Sequence, residues 1–181
     1  MSNLNLKNRV SLIYSLPHGG VFAEVGVLRG DFSLTILAGN QPSKLYLIDS
    51  WQEQPGTIWQ QKDSSAKADH DRNYQLTLSR FAGDERVHII KEFSTIAAQR
   101  FADETLDKVY IDADHTKAAE DIAAWWVKLR HGGWLCGHDY THMQWSNVKP
   151  DVDKFVADNN LTLFLTQEYP KDWPSWAIQK P

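Results

Sequence analysis

Val21-Phe22-Ala23-Glu24-Val25-Gly26-Val27-Leu28-Arg29-Gly30-Asp31-Phe32-Ser33 reads as an apolar strand, a bend holding two glycines and the start of a helix. A ligand can approach backbone closely only where side chains are absent, so Gly26 and Gly30 predict bare N–H groups at the strand's end, the shape of a nucleotide-cofactor cradle. Glu24 adds an acceptor beside them. The spacing is Glu-x-Gly-x-x-x-Gly, not the Gly-x-Gly-x-x-Gly of pyrophosphate binders, and an acid inside the bend would repel a diphosphate. A ligand with a cationic end fits better.

A cradle of this kind needs an acid that grips a ribose at the end of the next parallel strand, about twenty residues on. Lys44-Leu45-Tyr46-Leu47-Ile48-Asp49 supplies an apolar run ending in that carboxylate. Asp49 is therefore expected to accept from both ribose hydroxyls; the competing reading is a strand-end Asp that caps a turn.

The 181 residues, 42% hydrophobic and 23% charged, are enough for a sizeable core and predict a single domain over 1–181. A net charge of -4 and no basic stripe argue against a nucleic-acid surface. The lone Cys136 sits in an apolar strand pattern, which predicts a buried, inert thiol and suits a reducing compartment. With no apolar leader and no run of membrane-spanning length, the expectation is a cytoplasmic protein with no membrane partner. The sequence leaves room for a homo-oligomer without specifying one.

Elsewhere strands and helices alternate. A first helix is expected over 5–16, a strand over Val21–Val25, a helix from Asp31 to Ala38 and a strand over Leu45–Asp49. A polar loop or lid over 50–68 precedes a helix near 69–82. Strand Val87–Ile90, helix Ser94–Phe101 and strand Lys108–Asp112 follow. The next helix opens with Thr116 as N-cap and carries Ile122, Trp125, Trp126 and Leu129 on one stripe; Lys128, Arg130 and His131 form its last turn, and Gly132 stops it. Strand Gly133–Gly137, a helix near 150–158, strand Leu161–Thr166, a turn at Pro170-Lys171-Asp172-Trp173-Pro174 and a returning strand Trp176–Gln179 complete the chain.

This order, with the motifs Val109-Tyr110-Ile111-Asp112-Ala113-Asp114-His115 and Gly132-Gly133-Trp134-Leu135-Cys136-Gly137-His138-Asp139-Tyr140, resembles the class I S-adenosylmethionine-dependent methyltransferases. The two motifs resemble a small bacterial subgroup related to metal-dependent O-methyltransferases. The resemblance implies an α/β, Rossmann-like doubly wound fold: a mostly parallel seven-stranded sheet with an antiparallel C-terminal strand and helices on both faces. It implies S-adenosylmethionine across the ends of the first, second and fourth strands. Glu24, Gly26 and Gly30 then serve the methionine end, Asp49 the ribose, Phe93 and Ser94 the adenine, and Asp112 closes the site.

In such a sheet the first, fourth and fifth strands are neighbours, so Asp112, His138 and Asp139 should converge on one edge as ligands for a divalent ion, magnesium or manganese. An ion there would lower the pKa of a substrate hydroxyl and hold its oxygen in line with the methyl group. His138 stands where relatives carry an acid or amide, and it favours manganese, iron, zinc or a metal-free site over magnesium. Asp114 and His115 are the candidate bases, His115 because an imidazole titrates near working pH, and the resemblance ranks both ahead of Tyr140 and His142 because related metal-dependent enzymes carry a base in this turn. Trp51, Trp59 and Trp145 are expected either to line an apolar acceptor pocket or to pack as core.

The expected reaction is methyl transfer to a hydroxyl of a small-molecule acceptor. The alternatives are a cofactor-binding sensor, a non-methylating member of the same superfamily, and a nicotinamide dehydrogenase, which the missing glycine of the pyrophosphate pattern disfavours.

Overall fold

Val21–Val25 forms strand β1, as expected, an interior strand of a seven-stranded sheet. The computed structural model describes residues 4–52, 66–141, 146–168 and 172–181. Ahead of β1 lies helix α1 (Arg9–Ser15), capped by Asn8, whose side chain accepts from the Ser11 N–H at 2.8 Å. After β1 come α2 (Asp31–Asn40), β2 (Lys44–Asp49), α3 (Ala66–Arg80), β3 (Val87–Lys91), α4 (Ser94–Ala98) and β4 (Leu106–Ile111). Then follow α5 (Ala118–Trp126), β5 (Leu129–Gly137), α6 (Val148–Asp158), β6 (Leu163–Leu165) and β7 (Trp176–Gln179).

The strand order is β3-β2-β1-β4-β5-β7-β6; the first five run parallel, and β7 pairs antiparallel with both β5 and β6. Apolar side chains leave the sheet on both sides. One layer is built on Val25, Val109, Ile122, Trp125, Leu129 and Val152. The other is built on Leu12, Phe22, Ile36, Leu47, Trp51 and Trp134. A parallel sheet covered on both faces explains why β4 is buried at every position.

The clearest departure from expectation lies after α5. This helix ends at Trp126, and Leu129, Arg130 and His131 open β5 instead of closing the helix. Leu129 is fully buried in the strand, and a helical stripe asks for an apolar residue there too, so the apolar pattern could not separate the two. What decides is pairing: Leu129 sits opposite Leu106 of β4, Arg130 forms an ion pair with Asp107, and Gly132, in a left-handed conformation, donates to Lys180 O at 2.9 Å. Thr116 is not the N-cap either. The cap position falls on Lys117, without a side-chain cap bond, while the Thr116 hydroxyl turns back to donate to Asp114 at 2.8 Å. Trp59, Trp145, His142, much of the 50–68 segment and the Pro170-Lys171 turn lie outside the described residues. Among those described, no helix is long and apolar enough to cross a membrane.

Candidate active site at the carboxyl edge of the sheet

Strand register brings the predicted residues to one level. Val25 pairs with Ile48 on one side and Ile111 on the other, and Ile111 pairs with Gly137. The residues one step beyond are Gly26, Asp49, Asp112 and His138, which therefore share the carboxyl edge where ligands of open α/β sheets lie.

Gly26 has φ +92, and a Cβ added to it would come 1.9 Å from the Asp112 carbonyl oxygen. Only glycine lets the bend pass so close to the end of β4. The bend is held by Asp49. Its carboxylate accepts from Val27 N–H and Leu28 N–H, both at 2.9 Å, and from Trp51 N–H at 2.8 Å. Leu28 and Trp51 both have positive φ, a strained conformation for bulky residues, and Asp49 binds the N–H of each. A carboxylate offers about four acceptor sites. With three occupied, Asp49 keeps capacity for one further hydroxyl in this arrangement, so the turn-capping role is present beside any ribose contact. Trp51 is core: it is buried, packs at a tilt against the Tyr74 ring and donates from Nε1 to Leu28 O at 2.7 Å.

Glu24 lies beneath the bend, 1% exposed, and accepts a short hydrogen bond from the Ser33 hydroxyl at the start of α2. Burial pushes its carboxyl up to about 8, against the opposing pull of the Ser33 bond, so it retains its proton at pH 7. The folded chain then binds a proton that the unfolded chain has released. The resulting stabilisation is complete below the ordinary value of 4.5 and declines as pH rises through about 8.

Asp112, His138 and Asp139 do converge: one ligand atom from each lies within 4.8 Å of the others. His138 Nδ1 is 3.3 Å from Asp139 Oδ1 and 4.0 Å from Asp112 Oδ1. His115 joins them, with Nε2 2.7 Å from Asp139 Oδ2 and 3.8 Å from Asp112 Oδ1. The floor of this cluster is apolar, made by Ile111, Ile122, Val148 and Trp176. Burial alone would lower the His115 imidazolium, but its bonds to Asp112 and Asp139 and their charges prevail and raise it to about 9. Burial is likewise outweighed at His138, which Asp139 and Asp112 push upward, and at Asp139, which the two histidines hold well below the usual carboxylate range. Two carboxylates thus face two histidines whose charged forms they favour, a place that suits a divalent cation.

Asp114 points elsewhere. Its Oδ1 accepts from Thr116 N–H at 3.0 Å and from the Thr116 hydroxyl at 2.8 Å, closing the turn before α5. Its charge acts on Asp121, whose carboxyl burial pushes up to about 6 while a bond to Ser94 pulls it down. The Ser94 hydroxyl also accepts from Trp125 Nε1 at 2.9 Å, and Phe93 sits at the N-cap of α4 without a side-chain cap bond. Ser94 thus belongs to a buried network linking α4 to α5. Cys136 is fully buried, and its thiol is pushed far above the usual range by that burial, as expected of an inert cysteine.

A sequence model of the family described as "Methyltransferase domain" matches residues 23–140, more than half of the chain, from within β1 to the acid–histidine cluster. The chain belongs to the class I S-adenosylmethionine-dependent methyltransferases. No curated protein matches this methyltransferase in sequence. Solved structures share its fold at low identity. An rRNA methylase from Streptococcus thermophilus superposes with a TM-score of 0.64 at 15% identity, over 94% of this chain and 93% of that one. A precorrin-6y C5,15-methyltransferase from Geobacter metallireducens gives 0.64 at 14% identity, over 100% and 93%. An O-methyltransferase family protein from Burkholderia thailandensis gives 0.62 at 14% identity, over 93% of this chain and 52% of that one.

For a methyltransferase, two residues at this edge had no motif to announce them. Arg9, from the first turn of α1, places Nη1 3.8 Å from Asp112 Oδ2. Asp172, ahead of β7, places Oδ2 3.6 Å from His138 Nε2. Both come from the two ends of the sequence and meet the cluster only because α1 and the β6–β7 return reach the carboxyl edge. An isolated Arg at a helix start and an Asp in a turn carry no local signal of that.

Proposed function

We propose that this methyltransferase moves a methyl group from S-adenosylmethionine to a hydroxyl of a small-molecule acceptor, with a divalent ion held by Asp112, His138 and Asp139 and with His115 as the base. The observation that carries this reading is the four-residue cluster set one step beyond Ile111 and Gly137, beside the Gly26 bend. A sensor would need only the bend and Asp49.

The donor set fits a metal: two carboxylates and an imidazole nitrogen, His138 Nδ1, turned toward one another. Nitrogen favours manganese, iron or zinc over magnesium. Asp172 lies where it would orient the opposite nitrogen of His138, as carboxylates behind ligating histidines do. When bound, a divalent ion supplies Lewis acidity that makes a hydroxyl easier to ionise. S-adenosylmethionine supplies an already activated methyl group.

His115 Nε2 takes the hydroxyl proton, the acceptor oxygen forms its bond to the methyl carbon as the carbon–sulfur bond breaks, and S-adenosylhomocysteine leaves. Asp112 and Asp139 favour the imidazolium so formed. Holding both reactants in line contributes much of the barrier reduction in such displacements. Because Asp114 is committed to its turn, His115 carries the proton in this reading. The acceptor in this reading is a small molecule, in keeping with a net charge of -4 and no basic stripe to hold a polyanion such as RNA.

The test follows labelled methyl from S-adenosylmethionine onto a panel of phenols and sugars, with the protein chelator-treated or supplied with manganese. Transfer to oxygen that chelation abolishes and manganese restores is expected. Transfer indifferent to chelation would remove the metal from the account, and transfer only to nitrogen, carbon or RNA would contradict the acceptor class.

A further inference from the structure

Arg9 holds its guanidinium without an acceptor among the described residues. Its backbone N–H donates to Glu168 Oε1 at 2.8 Å, which fixes the start of α1 beside the end of β6. The side chain then crosses to the site, where Cζ stands 5.0 Å above the Phe32 ring in the first turn of α2. Asp112 Oδ2, at 3.8 Å, is its nearest carboxylate among those described and lies beyond hydrogen-bond reach. These two neighbours, one at the end of β4 and one in the first turn of α2, set the guanidinium at the carboxyl edge. Stacking on an aromatic face fixes the plane of a guanidinium and leaves its in-plane donors free for a planar anion, the geometry in which Arg binds a carboxylate through two parallel bonds.

The ligand of this edge carries one carboxylate, on its amino-acid end, next to an ammonium and a sulfonium. Acids suit the two cations, and Arg9, turned toward Asp112, is the cation that suits the carboxylate. We propose that Arg9 binds the α-carboxylate of S-adenosylmethionine, with Phe32 as the platform that orients it, so that the site selects donors carrying an intact amino-acid end. This inference rests on the reading that the edge binds S-adenosylmethionine.

Calorimetric titration of the wild type, Arg9→Gln and Arg9→Lys with S-adenosylhomocysteine and with its decarboxylated analogue closes a double-mutant cycle. A charge-assisted pair corresponds to roughly 10- to 100-fold in affinity. Arg9→Gln is expected to weaken S-adenosylhomocysteine by that factor while binding the decarboxylated analogue as tightly as the wild type or more so. Arg9→Lys should recover part of the loss, since a point charge remains without the fork. Equal weakening of both ligands, or of neither, would overturn the assignment even though the edge still binds the nucleoside. Failure of the wild type to bind S-adenosylhomocysteine would overturn the parent reading, and the assignment with it.

Discussion

Gly26→Ala is expected to destabilise the fold by roughly 3 kcal/mol or more and to abolish cofactor binding. The added Cβ would lie 1.9 Å from Asp112 O, 2.4 Å from Asp112 C and 2.8 Å from Ala113 N. All three are backbone atoms, so no rotamer change relieves the contact; the ends of β1 and β4 must separate. The left-handed φ of +92 adds its own penalty for any residue with a Cβ. For a chain of this size the loss corresponds to a fall in Tm of about 10 °C. Gly83 is the control, because it has φ +86 and a Cβ placed there would meet nothing within 4 Å. Gly83→Ala should cost about 1 kcal/mol, the conformational part alone. If the two variants melt together, close approach of the bend to Asp112 is not what requires glycine.

His115→Ala is expected to lower kcat by roughly 100- to 10,000-fold, the usual range for a lost general base. Binding of the cofactor and of manganese should persist, because His115 contributes no ligand atom to the Asp112–His138–Asp139 set and its removal takes a competing cation away from Asp112 and Asp139. The pH profile carries the sign. Asp112 and Asp139 hold the imidazolium up to about 9, so the wild type gains the neutral, proton-accepting form as pH rises toward that value. Wild-type kcat/KM should therefore climb with pH, manganese should shift the climb to lower pH by electrostatic opposition to the imidazolium, and the variant should lose the His115 limb. Losses of equal size in turnover and in ligand binding would assign His115 a structural role instead.

Much of the fold was legible because a parallel sheet writes itself in continuous apolar runs: Val21–Val25, Leu45–Ile48 and Lys108–Ile111 hold few polar residues, and their order fixed which ends would be neighbours. The convergence of Asp112, His138 and Asp139 follows from that order alone. The end of α5 was not legible, since Leu129 satisfies a helical stripe and a buried strand equally, and only its pairing with Leu106 separates them. Side-chain allegiance was hidden for a different reason. Whether Asp49 faces a ribose or the N–H groups of Val27, Leu28 and Trp51 depends on how tightly the bend folds back, which is set by three-dimensional approach and not by spacing. Asp114 and His115 are adjacent in sequence yet face different partners, one the turn at Thr116 and the other the carboxylates of the cluster. Arg9 is more distant still: most of the chain's parallel half lies between it and Asp112, and only the return of α1 to the edge joins them.

The most direct test of a cationic donor resting on the Glu24 bend is calorimetric titration of the wild type with S-adenosylmethionine at pH 7, repeated in buffers of different ionisation enthalpy. Glu24 is buried with its proton, and a positive ligand above it favours the carboxylate. Saturable binding with net proton release, and affinity that strengthens as pH rises toward 8, is the predicted result. No heat with either S-adenosylmethionine or S-adenosylhomocysteine would contradict the account.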